Sequence, residues 1–255
     1  MTYTVLTLFP EICNAYFNTS IMAKALDRGI IKYKALNIRD FARDKHKTCD
    51  DSPYGGGSGM LMMAEPIGLA LAAAGIKPKK EGNEARVIYL SPSGKPFNQP
   101  MARELAKEKE LVLLCGRYEG IDQRIIDLYV DDEISVGDYI LSSGEIAALI
   151  IADATYRLID NVISAASLEE ESFEKGLLEY PQYTRPEIYD TLRVPEILLS
   201  GHHENIRKWR LEKQIEKTLL IRPDLIRDNS EEQGKFDIET KKLIEISRKN
   251  GEGEI

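Results

Sequence analysis

Short apolar runs alternate with stretches of helical texture through roughly the first 160 residues of the chain. Thr2 to Phe9, Ile31 to Ile38 and Arg86 to Ser91 read as strands, and Glu11 to Asp27 and Glu65 to Ala74 as helices. Val112, Leu113 and Leu114 form the unbroken apolar run expected of a strand buried on both faces. Gly116 and Gly120 follow at once and let the backbone turn sharply, with polar Arg117, Tyr118 and Glu119 on the turn. A second strand end is expected where Ile134, Ser135 and Val136 reach Gly137, and a helix from Glu145 to Ile159 follows. The alternation predicts an α/β fold. Ligands of open α/β sheets bind beyond the carboxyl ends of strands, so the two glycine turns point to one pocket.

After Ile159 the texture changes. The segment SAASLEEESFEKGLLEYPQYTRPE holds five glutamates between Glu169 and Glu179, two prolines and no sustained period, as a linker or mobile loop would. The expected division is therefore 1–160, a linker 161–176, and 177–255. From Glu187 onward the pattern reads as helical, with Ile206, Trp209, Leu211, Ile215 and Leu219 at mixed spacings, and a frayed tail is expected after Asn250.

A chain of 255 residues at 43% hydrophobic can bury a core and leaves room for two domains. No apolar run approaches the ~20 residues of a membrane span, and MTYTVLTLFPEI lacks a basic lead and a small-residue cleavage site. A cytoplasmic protein with no membrane partner is the expectation. Cys13, Cys49 and Cys115 are odd in number, far apart and without a CxxC pair, which fits reduced structural thiols and gives no metal framework.

The formal charge of -8 argues against a nucleic-acid partner until its distribution is considered. Between Lys24 and Thr48 eight Lys or Arg face three acids, and between Gly201 and Arg227 seven face four, with His202, His203 and Trp209 interleaved. Two basic segments on an acidic chain can hold RNA, although solvated helix faces account for them equally well.

Common nucleotide and hydrolase motifs are missing. Gly55, Gly56, Gly57 and Gly59 run into Met60 and fail GxGxxG, while Gly94-Lys95 lacks the rest of a phosphate loop. His46, His202 and His203 have no zinc spacing, and no GxSxG element marks a serine nucleophile. Turns, carboxylates and arginines remain.

RDFARDKHKTCDDSPYGGGSGMLM (39 to 62), IYLSPSGKPFNQ (88 to 99), LLCGRYEGID (113 to 122), EISVGDYILSSGE (133 to 145), YTRPE (183 to 187) and LLSGHHENIRKWR (198 to 210) resemble the bacterial tRNA (guanine-N1)-methyltransferase family. These motifs stand in the family's order across nearly the whole chain. The resemblance implies a homodimeric SPOUT-type fold: a parallel sheet in an N-terminal α/β domain with a deep trefoil knot, and a smaller, mainly helical tRNA-binding domain. Periodicity does not reveal a knot, and base rates oppose one. It also implies S-adenosylmethionine as methyl donor, a requirement for magnesium (Mg2+), and a target guanine on the 3′ side of the anticodon.

The family's cofactor pocket falls on three turns of this sequence: Tyr89, Leu90, Ser91 and Pro92; Gly116, Tyr118, Glu119 and Gly120; and Ser135, Val136, Gly137, Asp138, Tyr139, Ile140, Leu141, Ser143 and Gly144. Backbone amides and carbonyls there would read an adenine edge, and Glu119 would face the cofactor's positive charges. Ser143 stands where the family usually has glycine; if that position needs a positive φ, Ser143 is strained by about 1 kcal/mol or more.

Methylation at guanine N1 needs a base for the N1 proton and a cation for the charge that grows on O6. Arg157 matches the family's arginine, and Glu171, in Glu169-Glu170-Glu171-Ser172-Phe173, falls where the family has aspartate. The extra methylene of Glu171 makes its placement matter, since ~1 Å of displacement can cost ~100-fold. His46, Lys47 and Asp50, and Arg207, Lys208, Trp209 and Arg210, are expected RNA contacts, with Trp209 equally placed for the core. Two alternatives stay open: a SPOUT-type methyltransferase acting on another RNA, and an RNA-binding dimer without catalysis.

Overall fold

The computed structural model describes residues 1–164, 171–173, 176–226 and 236–251, and the chain divides into two compact units, Met1–Ile163 and Ser164–Ile255. In the first unit the strands are β1 (Thr2–Thr7), β2 (Lys32–Asn37), β3 (Asp50–Asp51), β4 (Leu61–Met62), β5 (Arg86–Pro96), β6 (Glu110–Cys115) and β7 (Asp132–Ser135). Its helices are α1 (Pro10–Phe17), α2 (Ser20–Asp27), α3 (Ala64–Ala73), α4 (Gln99–Leu105), α5 (Gln123–Tyr129) and α6 (Gly144–Tyr156). Five strands form one sheet in the order β2-β1-β6-β5-β7, with every pairing parallel. Strands β3 and β4 form a separate antiparallel pair.

Alternation along the strands builds two cores. In β6, Leu111, Leu113 and Cys115 join a cluster with α1, α2, α4 and α6, whereas Val112 and Leu114 join one with α3 and α5. Strand β5 does the same, sending Ile88 and Leu90 to the first and Val87 and Tyr89 to the second. A central parallel strand therefore has no polar face, which is why its sequence shows no alternation of polarity. Each fully buried leucine contributes about 2 kcal/mol relative to exposure.

Two first-unit elements depart from expectation. The single helix expected over Glu11–Asp27 is two, because Asn18, Thr19 and Ser20 interrupt it: Thr19 is extended, Ser20 has φ 57°, and the Thr19 hydroxyl donates to Ala15 C=O at 2.6 Å. Asn, Thr and Ser side chains compete in this way for helical backbone groups. Strand β5 also runs on to Pro96, with Leu90 and Lys95 both opposite Ile134 of β7, so the residues between them bulge out at the sheet's carboxyl end. Gly94 is required there, since a Cβ would lie 2.4 Å from Ile134 N.

In the second unit the expected helix from Glu187 does not begin there. Ile188–Tyr189 and Leu192–Arg193 pair as an antiparallel hairpin whose turn residue Asp190 has φ 55°, a conformation aspartate tolerates. Short β-branched and aromatic runs on either side of Asp190 favour the strand over the helix. Helices follow at Glu196–Leu199, His203–Ile221 and Ile238–Gly251. Ile206, Trp209, Leu211, Ile215 and Leu219 all lie on the second of these, where Ile215 joins Leu177, Ile226 and Ile244 in a small core. Residues 165–170 and 174–175 of the expected linker, and 252–255 of the tail, lie outside the described residues.

Candidate functional site

A cavity of about 250 Å³ opens at the carboxyl ends of β5, β6 and β7. It is lined by Tyr89, Leu90, Ser91 and Pro92 from the first turn, and by Gly116, Tyr118, Glu119 and Gly120 from the second. The third turn supplies Ser135, Val136, Gly137, Tyr139, Ile140, Leu141, Ser143 and Gly144, but not Asp138. Arg117 and Ser142, within the expected turns, line it too, and Ser93, Ile134 and Ala147 line it without having been expected. Ser93 and Ile134 each adjoin an expected turn, so continuity of the backbone would have found them. Ala147 enters one helical turn after Gly144, where i and i+3 share a face.

Glycines permit the close packing of the turns. Gly144 N–H donates to Gly116 C=O at 2.8 Å, and a Cβ on Gly144 would lie 2.8 Å from Cys115 Cα. A Cβ on Gly116 would stand 2.9 Å from the Tyr89 ring. Gly120 has φ 132°, and Tyr118, beside it on the same turn, takes φ 57°. Ser143 corrects the expectation of strain: its φ is -168°, ordinary extended backbone, and it pairs across an antiparallel bridge with Arg117. The glycine-requiring neighbour is Gly144, for space and not for φ. Tyr89 stays neutral, its phenol pushed up by burial.

Beneath the cavity, buried Glu145 accepts a 2.5 Å hydrogen bond from the Thr7 hydroxyl through Oε1. Its Oε2 has no hydrogen-bond partner among the described residues. Thr7 Oγ1 accepts in turn from Phe9 N–H at 2.9 Å. The end of β1 is thus fastened to the first turn of α6, which itself lines the cavity at Gly144 and Ala147.

The glycine-rich stretch belongs to the rim. Gly55, Gly56, Gly57 and Gly59 all have positive φ, and a Cβ on Gly59 would lie 2.4 Å from Glu119 Cγ. Glu119 N–H donates to Met60 C=O and Met62 N–H to Gly120 C=O, each at 3.0 Å. The stretch therefore packs on the cavity's second turn. His46, Lys47 and Asp50 lie outside the lining; Lys47 Nζ pairs with Asp40 at 2.7 Å, and Asp44 holds the local loop by accepting from His46 and Thr48 backbone N–H. Those bonds hold the Asp44 carboxyl below the usual carboxylate range.

Arg157 and Glu171 do not line the cavity. Arg157 is the half-buried C-cap of α6, whose other end lines the cavity, and a helix of this length separates the two ends by about 20 Å. Glu171 is half-buried and belongs to the second unit. In that unit Arg207 pairs with Glu204 and Glu239 at 2.9 Å, and Arg210 lies over the Tyr180 ring at 4.7 Å. Half-buried Trp209 meets Tyr183 with ring centroids 6.5 Å apart, and exposed Lys208 stands 4.0 Å from Glu204. Cys13, Cys49 and Cys115 are free and buried. Among the described residues no group of three or more His, Cys, Asp or Glu is placed to hold a metal, and no helix is long and apolar enough to cross a membrane.

A parallel sheet with a glycine-framed cavity beyond three adjacent strand ends defines a ligand-binding α/β protein. The chain belongs to the tRNA (Guanine-1)-methyltransferase TrmD family, whose model matches residues 1–228. It is 62% identical over 244 residues to the tRNA (guanine-N(1)-)-methyltransferase of Treponema denticola, covering 96% of this chain and 98% of that protein. The enzyme of the same name from Treponema pallidum is 61% identical over 226 residues, 89% of this chain and 88% of that one. That from Borrelia duttonii is 57% identical over 227 residues, 88% and 92% respectively.

Proposed function

We propose that this protein transfers a methyl group from S-adenosylmethionine to N1 of the guanine on the 3′ side of the tRNA anticodon, in the cytoplasm. The observation that carries the reading is the cavity, where three turns far apart in sequence meet around space framed by Gly116, Gly120 and Gly144. Its donor set fits the cofactor: backbone amides and carbonyls for an adenine edge, and Glu119 for positive charge. When bound, S-adenosylmethionine supplies an electrophilic methyl group. For magnesium the described residues offer no such fit, and none is assigned to it.

N1 of guanine carries a proton, so the chain must supply a base before N1 can act as nucleophile. Glu171 is assigned that proton, and Arg157 is assigned the charge that builds on O6. Arg157 lies about 20 Å along α6 from its own chain's cavity, beyond the reach of an arginine side chain. A homodimer, with each cavity completed by the other subunit, accommodates that separation. For the knot of the SPOUT class, the supporting feature is the path after β7. Strand β5 lies between β6 and β7, yet the chain leaving β7 reaches the end of β6, where Gly144 meets Gly116. It therefore crosses the end of β5. Cofactor binding is assigned to 1–160 and tRNA binding to 177–255, joined by 161–176.

The test is incubation with labelled S-adenosylmethionine and unmodified tRNA, followed by mapping of the label. Label on guanine N1 beside the anticodon is expected. Label in ribosomal RNA instead, or no incorporation despite cofactor binding, overturns the reading.

A further inference from the structure

Arg207 is one of the cations expected to meet RNA, yet within the second unit it faces acids. Glu204, one turn earlier on the same helix, takes one edge of the guanidinium, with bonds of 3.2 Å from Nε and 2.9 Å from Nη2. Both carboxylate oxygens of Glu239 accept from Nη2 at 2.9 Å. Glu239 comes from the helix Ile238–Gly251, which lies beyond the residues 1–228 matched by the family model. Asp237, just before that helix, adds a third negative charge, its carboxyl held below the usual carboxylate range first by the Thr240 backbone N–H and then, among lesser causes, by Arg207. Carboxylate and phosphate offer a guanidinium the same pair of acceptor oxygens, so Glu239 stands where a phosphate would bind.

The helix does not depend on this contact. Ile244 anchors its later half in the small core with Leu177, Ile215 and Ile226, and Arg248 Nη2 donates to Ile226 C=O at 2.6 Å. Arg207, Glu204 and Glu239 are all exposed, so water screens the ion pairs and they add little to folding.

We infer that Glu239 is a tethered competitor for tRNA: it holds Arg207 in the free protein and must be displaced before a phosphate can take the guanidinium. This rests on the tRNA reading given above. Glu204 can stay in place, because Nη1 makes no hydrogen bond among the described residues and the Nη1–Nη2 edge is open once Glu239 leaves. An acid on the same chain is always at hand, and it lowers the apparent affinity by the fraction of molecules in which Arg207 is held. Exposed ion pairs shift such equilibria only a few-fold, so the contact tunes tRNA binding without abolishing it.

The experiment is fluorescence-anisotropy titration of unmodified tRNA with the full-length protein across a range of salt, with urea unfolding of every variant in parallel. Glu239→Gln is expected to bind about 3-fold to 5-fold more tightly than wild type, with unchanged unfolding. Arg207→Gln should bind more weakly, and its slope of log affinity against log salt should be shallower by about 0.7 to 0.9, the value of one phosphate contact. In the Arg207→Gln background, Glu239→Gln should change affinity by less than about 1.5-fold, since the group for which it competes is gone. Equal tightening in both backgrounds would mean that Glu239 merely repels RNA at a distance, and would overturn the inference. A Glu239→Gln protein that binds more weakly or unfolds would make the pair a brace for the helix and also overturn it. A wild-type protein that binds no tRNA would remove the tRNA reading itself, a result distinct from any pattern among the variants.

Discussion

Burial makes the Cys13 thiol hard to ionise, and the nearby negative charges of Glu145 and Glu11 add to the effect, pushing it up to about 12. Cys115 moves the same way and for the same first cause. An unfolded cysteine ionises near ~8.5, so the contribution is fully present below that pH and is lost as pH rises toward the folded value. Urea unfolding between pH 7 and 10 should show stability falling above about 8.5, and Cys13→Ala should flatten the decline by about one proton. Identical slopes would show that the native thiol titrates normally. The two residues assigned to chemistry make a second prediction, with Glu171→Gln and Arg157→Ala binding S-adenosylmethionine normally but losing ~100-fold or more in single-turnover methylation. The Gln variant should regain rate as pH approaches the guanine's own ionisation, since solvent then provides the deprotonated base, whereas Arg157→Ala should regain less. A wild-type rate in Glu171→Gln would remove Glu171 from the mechanism. At this scale the turns of the cavity were legible because glycine announces them. The expectation for Ser143 failed because a glycine in a family pattern does not say whether it is there for φ or for space; φ of -168° at Ser143 and the crowding of Gly144 against Cys115 separate the two.

Between elements, the bond from Thr7 to Glu145 ties the end of β1 to the first turn of α6, and neither partner is exposed. Thr7→Val keeps the shape and removes the donor, leaving a buried carboxylate without a hydrogen bond to Oε1 as well as Oε2. A loss of about 3 kcal/mol is expected, because an unsatisfied buried charged group costs more than a neutral one. Thr7→Ser keeps the donor and should lose only about 1 kcal/mol for its methyl group. Equal losses in chemical denaturation would show that the methyl group and not the hydroxyl matters. This bond joins residues 138 positions apart in sequence, which is why no local pattern exposes it. The strands were legible for the opposite reason: burial on both faces writes an apolar run directly into β6. Helix ends and the hairpin were less legible. At Asn18–Ser20 and at Asp190 a few side chains that bond to, or tolerate unusual, backbone outweigh the surrounding periodicity.

At the scale of the whole molecule, α6 poses the sharpest problem, with the cavity at its first turn and Arg157 at its last, about 20 Å apart. If Arg157 serves the cavity of a second copy, two differently disabled chains should repair each other. Arg157→Ala leaves the cavity intact, while Glu119→Lys reverses the one acidic charge that lines it and spares Arg157. Each variant alone should be inactive. In a mixed dimer, the intact cavity of the first chain meets the intact arginine of the second, and the other site lacks both. Random reassortment makes about half the dimers mixed, each with one working site of two, so co-refolded protein should recover about a quarter of wild-type activity. An arginine acting within its own chain gives no recovery, because every cavity then lacks either its acid or its arginine. Native mass spectrometry on the same samples separates the mixed dimer from the two homodimers and establishes that it formed, and labelled methyl transfer to unmodified tRNA reads the outcome. Activity returning only when the two variants are mixed would assign each site to two chains, and no recovery in a confirmed mixed dimer would return Arg157 to a structural role at the end of its helix.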